Sequence, residues 1–216
     1  MTQPKLTKVA PTGNATLLNA NLRLLAPKLV SYDCELSTLM TSVEADGHCA
    51  NAIIRYANKR NSDPDTRIDT VKHATVFLGL IDCKQFLFAY LLLQNDATER
   101  AALVQLLVRA KLTSDLFKTN GPVNKDLAFI ATLLTHKRFL KIQKPETIFM
   151  LFKLATDKKE AVRNFDFGLR NTIKQAIIIE TKCNPKSAKR EKMPEEFENM
   201  FQDAVYWANS LLSSMK

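Results

Sequence analysis

The chain has 216 residues, of which 46% are hydrophobic and 25% are charged, and its formal net charge at pH 7 is +9. This length and composition suit a globular protein that buries its own core, and they exclude a disordered chain or a small disulfide-stapled one. The positive charge is concentrated in residues 111–192, which carry 18 Lys and Arg against 8 Asp and Glu. Residues 1–110 carry 12 against 10, and residues 193–216 carry 1 against 4. The charge therefore predicts that the basic part contacts an anionic partner.

Glycine and proline are scarce, with 5 and 8 residues, and apolar residues recur at helical spacing along most of the chain. A many-stranded protein needs frequent Gly-based turns, so this pattern favours long helices. We predict an all-α fold, an irregular multi-helix bundle or stack of about eight or nine helices. No repeat of fixed period occurs in the sequence, which argues against a regular solenoid.

The first predicted parts are a tail and a near-neutral helical region. Residues 1–13 are polar, with two prolines and a glycine, and they predict a flexible N-terminal tail. Residues 14–118 form the near-neutral helical N-terminal part, which begins with a helix at residues 17–29. A second helix is predicted over residues 36–57, and Gly47 is a point of weakness in its middle.

Further helices complete this near-neutral part. Asp63 and Pro64 give a helix start signal, an acidic cap followed by proline at the first helical position. The apolar sequence then runs to Leu93. Its longest unbroken apolar piece is far shorter than the ~20 residues that a membrane span needs, so it predicts a core helix. The helix that follows Asp96 is apolar over most of its circumference, which predicts that it is buried.

The clearest break in the chain lies at residues 119–122, where two turn formers stand side by side. Residues 123–192 form the basic helical part, with one helix predicted over 157–182 and a basic linker after it. Residues 193–216 form an acidic amphipathic helix that begins after a proline. Because the break is short, the sequence is equally compatible with a single domain that contains all these parts.

The candidate binding residues are cations in three groups. A loose patch spans residues 136–144, one face of the predicted helix carries cations between 159 and 174, and a flexible patch spans 182–190. Phosphate binding needs several cations on one face, because each contact releases a counterion. The predicted nucleic-acid-binding residues are Lys137, Arg138, Lys141, Lys144, Lys159, Arg163, Arg170, Lys174, Lys182, Lys186, Lys189 and Arg190.

These groups predict a non-enzymatic nucleic-acid-binding protein that holds the phosphate backbone with little base readout. A nucleocapsid-like protein and a replication or transfer accessory factor both fit this description, and so do DNA and RNA as partners. The alternative is a helical adaptor that binds an acidic protein or associates with itself. The amphipathic helix at 194–216 is a candidate for such contact in helix-in-groove fashion, although packing on its own domain is the commoner role.

No motif for catalysis, a cofactor or a metal accompanies these cations. The dinucleotide-binding, P-loop, zinc-protease and serine-hydrolase patterns do not occur in the sequence. The four cysteines form no CxxC pair and have no zinc-site spacing with the histidines, so we expect mostly buried, free thiols. Free thiols, with no visible signal peptide and no membrane span, predict a cytoplasmic or otherwise reducing compartment.

Overall fold

A computed structural model describes Leu29 and residues 34–63, 65–93, 100–117, 125–135 and 167–215. Within these ranges the chain forms seven α-helices and no strand, which confirms the all-α class, whereas the predicted number of eight or nine helices is not confirmed. The helices are α1 (Leu36–Glu44), α2 (Gly47–Arg60), α3 (Val71–Leu93), α4 (Arg100–Leu116), α5 (Lys125–Thr135), α6 (Phe167–Cys183) and α7 (Glu195–Ser214). The predicted N-terminal tail and the predicted break at 119–122 lie outside the described residues.

The helix predicted over 36–57 is two helices, α1 and α2, because Asp46 interrupts it. The Asp46 carboxylate accepts hydrogen bonds from the backbone amides of His48 (3.0 Å) and Cys49 (2.9 Å). This N-cap starts α2 at Gly47, the residue that was predicted to weaken a continuous helix. Both helices still bury the apolar face that the spacing predicts.

The predicted helix start at Asp63 and Pro64 is wrong, since α3 begins at Val71. Asp63 caps a turn instead: its carboxylate accepts hydrogen bonds from the Thr66 hydroxyl (2.6 Å) and the Asp65 amide (3.0 Å). These two bonds lower the pKa of the Asp63 carboxyl, because they stabilise its charged form. Such local bonds from a side chain to the backbone compete with helix formation.

Helix α3 bends at Gly79, whose backbone (φ +72°, ψ 172°) lies in a region that only glycine adopts readily. The Cys83 thiol donates to the Thr75 carbonyl across the bend, at 3.6 Å. Among the described residues, Val71–Leu91 is one stretch of helix that is long and apolar enough to cross a bilayer. However, 61% of its apolar window is buried inside the protein, which is typical of a core helix.

The core forms around α4, which packs against α5, α6 and α7. Trp207 of α7 is fully buried, and its ring meets Phe129 of α5 edge-on at a centroid distance of 5.9 Å. Phe129 stacks in turn on Phe88 of α3 at 6.2 Å. This aromatic row joins three helices into one continuous core.

Helix α7 begins after Pro194 as predicted, and its apolar stripe is buried in the fold. The buried apolar residues of the stripe are Phe201, Ala204, Trp207, Ala208, Leu211 and Leu212. Helix α7 also holds α2, because Arg55 Nε donates to the Ser214 carbonyl (2.9 Å) and the Tyr206 hydroxyl donates to the Lys59 carbonyl. Contact of residues 194–216 with a protein partner stays a prediction. Among the described residues of α7, Tyr206 is an exposed large hydrophobic side chain.

Candidate nucleic-acid interface

Helix α6 carries two of the predicted cations on its exposed face. Leu169, Ile173 and Ala176 are buried, as their spacing predicts. Arg170 and Lys174 lie one turn apart on another side of the helix and are both exposed. Neither has an ion-pair or hydrogen-bond partner for its side chain within the part of the chain that the structure describes. Both charges are therefore available to a ligand.

A buried ion pair fixes α6 against α4. Glu180 of α6 is only 4% exposed, and its carboxylate accepts hydrogen bonds from the Arg109 guanidinium and from the Gln105 side-chain amide (2.7 Å). Because both carboxylate oxygens are bonded, the buried negative charge is compensated. This contact orients α6 so that Arg170 and Lys174 face solvent.

The basic segment after α6, which was predicted as a linker, forms two hydrogen-bonded turns. The side chains of Asn184 and Ser187 each accept a hydrogen bond from the backbone amide two residues later, at 2.9 and 3.1 Å. The Glu191 amide then donates to the Lys182 carbonyl at 3.1 Å. The segment is thus folded back onto the last turn of α6.

These turns bring three predicted cations around one shallow depression of 520 Å³. It is lined by Ile177, Ile178, Thr181, Lys182, Ala188, Lys189, Arg190 and Glu191. Lys182 pairs with Glu191 at 2.7 Å, so one of the three positive charges is neutralised locally. The side chains of Lys189 and Arg190 have no partner among the described residues.

We call Arg170, Lys174, Lys182, Lys189 and Arg190 the α6 cationic track. Arg170 and Lys182 are ~18 Å apart along the axis of α6. Ile178 lies on the same exposed side and is 50% accessible, which places an apolar side chain beside the cations. Lys186 does not join the track, because it lines a separate cavity of 790 Å³ between α4, α6 and α7.

Six of the predicted binding residues lie outside the described part of the chain. They are Lys137, Arg138, Lys141, Lys144, Lys159 and Arg163. Their contribution to a common surface with the α6 cationic track stays a prediction.

The acidic residues at the start of α7 do not neutralise the α6 cationic track by direct contact. Glu195, Glu196 and Glu198 occupy the first turn of α7, where the helix dipole favours negative charge. Glu198 also accepts a hydrogen bond from the Met193 amide at 3.3 Å. Within the described residues, none of these acids forms an ion pair with a residue of the track.

The cysteines are all buried and free, as predicted. Burial is the main cause that raises the pKa of the Cys83 thiol, to about 12, and the nearby charge of Asp82 adds to it. Burial likewise raises the pKa of Cys49. These two thiols stay protonated at neutral pH, which makes them poor nucleophiles and poor metal ligands. Among the described residues, no three His, Cys, Asp or Glu side chains form a metal-binding group.

A second group of cations, which was not predicted, lies in the near-neutral part. Arg55 and Lys59 of α2 and Arg67 of the following loop line a depression of 640 Å³. Acidic residues elsewhere in the near-neutral part balance these cations, so the net charge of that part does not reveal them. The sequence signal is limited to the spacing of Arg55 and Lys59, which places them one turn apart on a helix.

Comparison with protein-family models, curated proteins and solved structures finds no match to this chain. What the protein does is therefore inferred from its own surface. The Lys and Arg side chains of the α6 cationic track lie on the surface. Helix α6 and the hydrogen-bonded turns after it hold the backbone that carries them.

Proposed function

We propose that this protein binds nucleic acid through the phosphate backbone and carries out no chemistry on it. The observation that carries the proposal is the α6 cationic track, in which Arg170 and Lys174 are exposed on α6 and three further cations, one of them paired with Glu191, line a depression at its C-terminal end. The ~18 Å of α6 from Arg170 to Lys182 is the length of about five nucleotides of one strand, at a rise of roughly 3.4 Å per nucleotide. A nucleocapsid-like role and an accessory role in replication or nucleic-acid transfer both use such binding.

Backbone binding without base readout is supported by the type and placement of these side chains. Arg170, Lys174, Lys189 and Arg190 are all exposed, and no described neighbour fixes their guanidinium or ammonium groups. Long, unconstrained cations suit phosphates, whereas base readout requires donors held in a defined orientation. Ile178 gives an apolar contact that a sugar or a base face can cover.

A salt titration tests this proposal. Fluorescence anisotropy with labelled single-stranded RNA, single-stranded DNA and duplex DNA of about 20 nucleotides measures the affinity. We expect log K to fall linearly with log salt concentration, with a slope of about −4 if about five phosphates are engaged. Absence of binding to all three probes at low salt would overturn the proposal.

Charge reversal then locates the binding surface. The double variant R170E/K174E changes two exposed, unpaired cations, and K72E/K125E is a matched control that makes the same charge change on exposed residues of α3 and α5. We expect R170E/K174E to weaken binding at least about 10-fold more than the control does. Equal losses in the two variants would mean that net charge, and not the track, determines the affinity.

A second candidate function is that of a helical adaptor. Val76, Phe77 and Ile81 of α3 are exposed by 63%, 44% and 55%, which is unusual for neighbouring apolar residues and is typical of a protein contact surface. If this surface carries the function, light scattering coupled to size-exclusion chromatography will show an oligomer or a complex. That complex will be insensitive to R170E/K174E.

A further inference from the structure

A second concave and positively charged surface lies between α2 and the loop that follows it. The depression has a volume of 640 Å³ and is open to solvent. It is lined by Asn51, Ile54, Arg55, Asn58, Lys59, Arg67, Ile68 and Asp69. Its lining carries three positive charges and one negative charge, in a region where the sequence is close to neutral.

The shape of this depression is fixed by Asn58. Its side-chain amide donates to the Ile68 carbonyl (2.6 Å), and its side-chain oxygen accepts from the Ile68 amide (3.0 Å). The same amide group also donates to the Ile54 carbonyl at 3.0 Å. Ile68 itself is buried, so the loop is held on α2 by both polar and apolar contacts. The backbone that carries Arg67 is therefore held next to the helix.

Each of the three cations in this depression has N–H groups that are available to a ligand. Arg55 uses its Nε to bond the Ser214 carbonyl, and its two terminal nitrogens have no partner among the described residues. Lys59 donates to the Ser213 hydroxyl and has further N–H groups. The side chain of Arg67 has no partner within the described part of the chain, and no ion pair joins it to Asp69. The depression is thus lined by N–H groups that form no ion pair with a carboxylate of the described residues.

We propose that this depression binds a phosphate group of a phosphorylated small molecule. Three cations against one acid leave a net charge of +2, which complements a phosphomonoester that carries ≈ −1.5 to −2 at pH 7. Arginines from two chain segments, Arg55 and Arg67, line it, and Arg binds phosphate with two parallel hydrogen bonds. The site is made of other residues than the α6 cationic track, and it does not depend on nucleic-acid binding by that track.

The direct test is an NMR titration of the full-length, isotope-labelled protein with pyrophosphate at constant ionic strength. We expect saturable shifts of the backbone amides of Asn58, Ile68 and Asp69. R67A should weaken the binding about 5- to 10-fold without loss of stability, because Arg67 is exposed and makes no contact that the fold needs. K72A is the matched control, since Lys72 is also exposed but lies outside the depression.

N58A adds a test of the geometry. It keeps all three cations but removes the bonds that hold the loop, so it should weaken pyrophosphate binding while it leaves the charge unchanged. N58D should weaken the binding more than N58A does, because its carboxylate cannot donate to the Ile68 and Ile54 carbonyls and adds a negative charge beside the depression. A loss of affinity that is equal in R67A and K72A would overturn the proposal.

A parallel titration with a thymidine oligonucleotide of about 10 nucleotides separates the possible sources of phosphate. Saturable, Arg67-dependent shifts with pyrophosphate support a site for small phosphorylated molecules. If the same amides respond only to the oligonucleotide, the depression belongs to a nucleic-acid surface and the small-molecule proposal is overturned. Absence of a saturable response to both probes also overturns the small-molecule proposal. The variant R170E/K174E leaves this depression intact, so it tests nucleic-acid binding by the α6 cationic track separately.

Discussion

Removal of Arg109 should destabilise the protein strongly, because Glu180 is buried. In the folded protein, Arg109 and Gln105 together bond both oxygens of the Glu180 carboxylate, which is 4% exposed. R109M replaces the guanidinium with an apolar side chain of similar length. The carboxylate then keeps only the amide of Gln105 and has little access to water.

R109M should lower the free energy of unfolding by about 3–5 kcal/mol, which is the range for removing one partner of a buried ion pair. R109M/E180M removes both charges and should cost less than R109M alone, since no uncompensated buried charge remains. Lys182 and Glu191 provide a matched, exposed pair, with side chains 35% and 63% accessible and a separation of 2.7 Å. K182M should therefore cost less than about 1 kcal/mol.

Equilibrium urea unfolding followed by far-UV circular dichroism measures all three variants. The free energy of unfolding in water gives the cost of each change, and an unchanged m-value shows that the extent of unfolding is the same. If R109M costs no more than K182M, or if R109M/E180M costs as much as R109M alone, the predicted role of Glu180 burial is refuted.

Three further predictions concern the core. G79A should lower the free energy of unfolding by about 1–3 kcal/mol, because alanine is strained at φ +72°. There is room for the added methyl group, since a Cβ at this position meets no atom within 4 Å. An unchanged free energy of unfolding would mean that α3 straightens in the variant. W207A should cost about 3–5 kcal/mol in urea unfolding, since the Trp207 ring is fully buried against Phe129. Cys83 should resist iodoacetamide in the folded protein and react after unfolding, as followed by mass spectrometry. Because its folded pKa is raised to about 12 from an ordinary 9.0, its contribution to stability should be lost as pH rises from 9.0 toward about 12, and the variant C83A should lack that pH dependence.

Apolar spacing predicts which helix faces are buried, and local start signals predict helix ends less well. The stripe of α7 and the inward side of α6 are buried as expected, because helical periodicity and burial have the same physical cause. The start of α3 was missed because Asn58 holds Ile68 ten residues away, a contact that no local pattern contains. The split at Asp46 was missed because its capping role depends on the chain turning there.

The candidate surface could be predicted only in part. The spacing of Arg170 and Lys174 places them together on the outside of α6, as the structure has them. The turns at Asn184 and Ser187 were not predicted, although both residue types favour such turns, because the many Lys and Arg side chains of this segment are typical of a solvated linker. The depression lined by Arg55, Lys59 and Arg67 was missed because the bonds between Asn58 and Ile68, ten residues apart, hold the loop that carries Arg67 next to α2.

The contacts between α2 and α7 have a consequence for the order of folding. The bonds from Arg55 to Ser214 and from Tyr206 to Lys59 join residues that are 159 and 147 positions apart. Contacts of such long range form late and slow the folding reaction, since a large loop must close first. During synthesis, α2 and its loop leave the ribosome long before α7 does, so Arg55 has no Ser214 carbonyl to bond until then. The Arg55 and Lys59 side chains of the depression thus gain their α7 partners only when α7 docks, so the proposed phosphate binding would report completed folding.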